Sequence, residues 1–181
     1  MREQRFRSRS RRSIRLPGYD YGQAGVYFVT ICAFQQATLF GEITDGAMAL
    51  NELGKIVSAE WQHVSTVRRN VKLDQFVVMP NHIHGLVIIE SCINGDNSRN
   101  TTGNRTMRAG TLQSGSLGAI VGQFKLAVNR QARRLNLYPA HRIWQRNYHE
   151  HIVRDETSLN EIRRYILENP ARWNDDGLYV E

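Results

Sequence analysis

The chain has 181 residues, 41% of them hydrophobic, and a formal net charge of +7, which suits one globular domain with a real core. No apolar run reaches the ~18 residues that a bilayer-spanning helix needs, and the Arg-rich start is followed by no apolar stretch of the kind that secretory signals carry. Two isolated thiols, Cys32 and Cys92, make neither a disulfide framework nor a zinc spacing, so the expectation is a cytoplasmic protein without membrane contact.

The charge is unevenly placed. Arg2, Arg5, Arg7, Arg9, Arg11, Arg12 and Arg15 stand against Glu3 alone, so six of the seven net charges sit in residues 1–15. A basic arm on a balanced body is the electrostatic footprint of a nucleic-acid binder, because arginines displace condensed counterions from phosphates. A solubilising tail is the plainer alternative. The expected organisation is an arm over 1–15 and one domain over 16–181.

After the arm, the run Gly25 to Phe34 reads as a buried strand, and a short hairpin fits 38–49. Asn51 can cap a helix reaching about Val67, with Leu53, Ile56, Val57, Trp61 and Val64 on one face. Two strands follow near 72–79 and 81–90, joined tightly at Pro80-Asn81. Residues 91–115 are rich in Asn, Ser, Thr and Gly without periodicity and read as a flexible loop. Ser116 opens a long helix whose stripe is Leu117, Ile120, Val121, Phe124, Val128 and Leu135, with Lys125, Arg130, Arg133 and Arg134 largely off it. A strand near 146–154 and a helix over 156–168, with Ser158 and Glu161 spaced as a capping box, complete the chain. The order β-α-β-β-α-β plus a final helix predicts an α+β, ferredoxin-like split βαβ fold: an antiparallel sheet with helices mainly on one face.

His82-Ile83-His84 lies inside the apolar run from Phe76 to Ile89. On a strand both imidazoles leave the same face, and two neutral imidazoles form half of a divalent-metal site. The alternative is a pair of hydrogen-bonded structural histidines. On the last helix Tyr165 and Asn169 are four apart, hence on one face, although Pro170 disfavours helical geometry at Asn169. A tyrosine beside an apolar stripe is often a core residue with its hydroxyl at the rim. His149-Glu150-His151 is a second alternating pair, read as substrate-facing or structural, and Trp144, Arg146 and Phe6 are candidates for contact with unpaired bases.

Together these residues form a recognisable set. The strand pair His82-Ile83-His84 followed by Tyr165-x-x-x-Asn169 is accompanied by Ser13-Ile14-Arg15-Leu16, Gly18-Tyr19-Asp20-Tyr21 and Tyr27-Phe28-Val29-Thr30-Ile31-Cys32. Val78-Met79-Pro80-Asn81, Gly118-Ala119-Ile120-Val121-Gly122-Gln123-Phe124-Lys125 and Trp144-Gln145-Arg146-Asn147-Tyr148 belong to the same pattern. From Arg12 to Trp173 the chain resembles the REP-associated tyrosine transposases, within the single-tyrosine HUH nucleases.

The resemblance implies a metal-dependent single-strand DNA endonuclease and transposase acting at hairpin-forming, palindromic repeats. In it His82, His84 and Asn169 hold Mg²⁺ or Mn²⁺, and Tyr165 is the nucleophile that forms a 5′-phosphotyrosine. Arginines of the arm, Arg146 and the basic face of the 116–137 helix (Lys125, Arg130, Arg133, Arg134) would contact the DNA backbone, in a monomer or homodimer. Ligating histidines must be neutral, so activity is expected to fall below about pH 6. The competing class is a domesticated or non-catalytic single-stranded nucleic-acid-binding module of ferredoxin-like fold.

Overall fold

A computed structural model describes residues 22–91, 115–138 and 142–180. The basic arm with its seven arginines and Phe6, the motifs at 13–21, Cys92 and nearly all of the expected 91–115 loop lie outside the described residues.

The elements follow one another as β1 (Gly25–Cys32), β2 (Gly41–Thr44), β3 (Ala47–Leu50), α1 (Glu52–Thr66), β4 (Val71–Val78), β5 (His82–Ile89), α2 (Leu117–Arg134), β6 (His149–Val153) and α3 (Glu156–Glu168). A 3-10 turn, Pro170–Asp175, comes after α3. Four strands form one sheet in the order β4-β5-β1-β6, with every neighbouring pair antiparallel. This is the expected split βαβ arrangement: β5 separates β1 from β4, the two strands joined through α1. The hairpin β2–β3 is a separate two-stranded sheet inserted before α1.

Alternation along the strands divides the core into two layers. Tyr27, Val29 and Ile31 of β1 and Ile83, Val87 and Ile89 of β5 face α1 and α2, packing with Trp61, Val57, Ile120, Phe124 and Val128. The other face carries a smaller cluster of Leu86, Val153, Leu159 and Ile166, so α3 covers the side that α1 and α2 leave free. Gly85 is required by the larger layer. A Cβ there would come 2.5 Å from Cζ2 of Trp61, so the indole lies directly over the backbone just after His84.

Local signals explain most boundaries. Asn51 and Ser116 cap α1 and α2, their side chains accepting from Gly54 N–H and Ala119 N–H. The cap of α3 is not the expected Ser158. Asp155 takes that place, accepting from the N–H and the hydroxyl of Ser158, which puts the 158/161 pair inside the helix. Leu135 leaves the expected stripe of α2: that helix ends at Arg134, Leu135 is 53% exposed, and Ala132 is the buried residue of the last turn.

Candidate metal and nucleophile site

β5 begins at His82, and the two imidazoles leave the sheet on the α3 side, with ring centroids 4.4 Å apart. Both are buried, and each is held by its inner nitrogen. His82 Nδ1 lies 2.7 Å from Asn81 Oδ1. The Asn81 amide nitrogen donates to the carbonyls of Leu178 and Gln36 at 2.8 and 3.2 Å, so its oxygen must accept, and His82 donates from Nδ1. That leaves the lone pair on His82 Nε2, a buried nitrogen without a hydrogen-bond partner among the described residues. His84 Nδ1 is held by Thr30 Oγ1 across the β1–β5 pair at 2.9 Å, which likewise turns Nε2 toward the site. Neighbours that fix one ring nitrogen and release the other are what a metal-binding histidine needs.

Asp176, one residue beyond the 3-10 turn, completes the group. Its Oδ2 lies 4.0 Å from His82 Nε2 and 3.9 Å from His84 Nε2, and one ligand atom from each of the three residues fits within 4.8 Å. Both carboxylate oxygens are oriented. Oδ1 accepts from the Leu178 N–H at 2.7 Å and Oδ2 from the Asn169 amide at 2.7 Å. Burial by itself pushes the Asp176 carboxyl up, but the His84 ring, the Asn169 amide and the Leu178 N–H together hold it well below the ordinary carboxylate range. Burial, reinforced by the neighbouring His84, holds His82 at about 3 against the weaker opposing pull of Asp176. Protonation of His82 therefore does not set the limit near pH 6 that an unperturbed imidazole implies.

Tyr165 reaches this cluster from α3. Its hydroxyl is 3.1 Å from His84 Nε2 and donates to Asp176 Oδ2 at 3.3 Å, while the side chain stays 43% exposed. Burial, with the charge of Asp176 adding to it, pushes the phenol up to about 12. Asn169 keeps helical dihedrals, φ −57 and ψ −42, despite Pro170, and so stays on the face of Tyr165. It is buried beside the histidines with its Oδ1 unpartnered among the described residues and its nitrogen on Asp176. The aromatic Phe28 stacks on His84 (5.3 Å between centroids, 26° between planes) and meets Tyr165 edge-on.

The histidine pair, Tyr165 and Asn169 are thus brought together; the basic residues are not. Lys125 is half-buried and donates to the carbonyls of Gln145 and Asn147, and burial lowers it to about 8. Arg130 and Arg133 line a surface groove with Leu126 and Asn129, and Arg133 also stacks on Tyr138 at 4.6 Å. These residues and Arg134 belong to α2, on the opposite side of the sheet from the histidines. Arg146 is exposed in the segment before β6, and Trp144 is a core residue packed on Phe40 and Phe124. Sequence reasoning missed Asp176, Asn81 and Thr30. Asp176 sits in a turn without periodicity, and its one signal is the Asp175-Asp176-Gly177 step shortly after Trp173.

No protein-family model matches the chain. Its fold is similar to that of a solved REP-associated tyrosine transposase bound to a REP hairpin, with a TM-score of 0.55 over 87% of this chain and 71% of that one at 16% identity. An uncharacterized protein of Haemophilus influenzae is 40% identical over 171 residues, 94% of either chain. At that identity and coverage, the chain belongs to one protein family with the Haemophilus influenzae protein.

Proposed function

We propose that the protein is a metal-dependent single-strand DNA endonuclease and strand transferase, cutting and rejoining DNA at hairpin-forming repeats through a covalent link to Tyr165. The observation that carries this reading is the Tyr165 hydroxyl within 3.1 Å of His84 Nε2 and 3.3 Å of Asp176, beside the unpartnered Nε2 of His82. The likeness in fold to a tyrosine transposase supports it.

The donor set suits Mg²⁺ or Mn²⁺: two neutral imidazoles and a carboxylate from Asp176, with Asn169 Oδ1 available as a further oxygen. Such an ion supplies charge neutralisation at the phosphodiester when bound. Everything else comes from the chain. Asn81 and Thr30 orient the two rings, and Asn169 with the Leu178 N–H orients Asp176.

Tyr165 Oη attacks the phosphorus in line. The new O–P bond forms as the bond to the 3′ oxygen breaks, leaving a 5′-phosphotyrosine and a 3′-hydroxyl. The phenol proton passes to solvent at the exposed side of the ring, and solvent supplies one to the 3′ oxygen. Because the phosphodiester is exchanged rather than hydrolysed, a 3′-hydroxyl can reverse the step and reseal a strand without ATP. Ionising Tyr165 at neutral pH is strongly uphill in the metal-free site, partly because Asp176 is anionic beside it. Neutralising that carboxylate removes the repulsive part of the cost. The arginines of 1–15 and Arg146 contact phosphates in this reading. Arg130, Arg133 and Arg134 reach a strand only where it passes round the sheet to α2.

The test is incubation with labelled single strands containing a hairpin, in Mn²⁺, followed by denaturing electrophoresis. A covalent adduct is expected from the wild type, and none from Tyr165→Phe or in EDTA. An adduct that persists in Tyr165→Phe removes the nucleophile, one that persists in EDTA removes the metal, and DNA binding with no adduct from the wild type leaves a binding module.

A further inference from the structure

The chemistry above makes no use of the second alternating histidine pair. His149 and His151 are two apart on β6, so both rings leave the same face of the sheet. The register identifies that face. His149 stands opposite Thr30 and His151 opposite Phe28; on the other side of β1, Thr30 stands opposite His84 and Phe28 opposite Leu86. Residues directly opposite one another on antiparallel strands share a face. The second pair therefore lies on the side that carries His82, His84 and Tyr165, not under α1 and α2.

Its surroundings are unlike those of the first pair. His82 and His84 are buried, whereas His149 and His151 are exposed and have no hydrogen-bond or ion-pair partner among the described residues. The facing row on β1 contains Val26, Phe28 and Thr30, the next β6 residue on the same face is Val153, and none of them is a carboxylate. Two imidazoles without an acidic neighbour in their row make a poor cation site and a good set of N–H donors for a polyanion. His84, Thr30 and His149 span two inter-strand spacings, about 10 Å, roughly the reach of one or two nucleotides from the group that Tyr165 would attack. Half-buried Phe28 lies between, offering an aromatic surface next to the donors.

We propose that His149 and His151 form a backbone-binding row for single-stranded DNA, holding the phosphates next to the one positioned at Tyr165. The inference rests on the proposed nuclease reading for the identity of the strand, but binding can be read without chemistry. The experiment uses the full chain carrying Tyr165→Phe, in EDTA, with a fluorescein-labelled single strand containing a hairpin and flanking nucleotides. By fluorescence anisotropy, the added pair His149→Ala and His151→Ala should raise Kd about tenfold, with the thermal midpoint unchanged. Single methylphosphonates, which remove one backbone charge at a time, should weaken binding at one or two flanking positions in the parent. The same positions should be silent in the double-alanine protein. Equal Kd values, or an identical methylphosphonate profile in both proteins, would overturn the row. Adduct formation by the wild type is scored separately, so loss of the nuclease reading and loss of the row are distinguishable outcomes.

Discussion

The two faces of the central sheet use the same strands for opposite purposes. On one, Tyr27, Val29, Ile31, Ile83, Val87 and Ile89 meet α1 and α2 in a continuous apolar layer. On the other, a cluster of four buried apolar residues adjoins buried His82, His84, Thr30 and Asn169. Burying polar groups costs free energy unless each finds a partner, and His82 Nε2 and Asn169 Oδ1 have none among the described residues. A site with ligand atoms left open is tolerable because stability is concentrated on the far side of a sheet only one residue thick. Alternation makes that division possible, since Ile83 anchors one layer from between the two histidines that furnish the other.

The comparison breaks most readily at Trp61. Trp61→Ala empties the space over Gly85 and should cost about 3–5 kcal/mol, read as a loss of urea midpoint, without any specific effect on metal binding. If Tyr165→Phe proved equally destabilising, the division of labour would be wrong, because Tyr165 is part-exposed and outside the apolar cluster.

Thr30→Val sharpens the contrast from the chemical side. It retains shape but removes the partner of His84 Nδ1, so Mn²⁺ affinity should fall about 10–100-fold with at most about 1 kcal/mol of stability lost. Titration calorimetry against chemical denaturation separates the two.

Acid should probe the same face. His82 is near 3 in the folded chain and near 6.5 when unfolded, so below pH 6.5 the unfolded state binds the extra proton. Stability present above about pH 6.5 is therefore lost progressively as pH falls toward 3. His82→Asn, which cannot take up that proton, should lose less urea midpoint between pH 7 and pH 4.5 than the wild type. An identical loss in both would mean that His82 is not buried as a neutral ring.

The smallest effect is expected at the clamp between α3 and the sheet. The β4–β5 register shifts between Leu73 and Phe76, and Asp74 in that irregularity accepts from Arg163 Nε at 3.0 Å and Nη2 at 2.5 Å. The hydrogen bonds from Arg163 lower the Asp74 carboxyl against a weaker effect of burial. Asp74→Asn should cost about 1 kcal/mol at neutral pH, an effect that fades as acid protonates the wild-type carboxylate. Because α3 carries Tyr165, adduct rate should fall with it, while Mn²⁺ affinity at the histidines holds.

Much of this was legible in local pattern. Apolar alternation in β1 and β5, the caps at Asn51 and Ser116, and the three-and-four spacing in α1 and α2 are short-range signals, and the elements lie where those signals put them. The order of elements pointed to the split βαβ sheet, and period two put His82 and His84 on one face. What only the tertiary structure decided depends on contacts between distant segments. Asp176 joins the histidines because the turn after Trp173 folds back and Asn81 holds the Leu178 carbonyl, a link that no periodicity encodes. Thr30 became the partner of His84, and His149 its neighbour across β1, only through strand register. Lys125 looked like a surface cation and is instead tied to two carbonyls, while the arginines of α2 ended on the other side of the sheet. Repeating side-chain character along a segment specifies which way each residue points; which segment it then meets is set by chain closure and packing, where sequence separation carries no information.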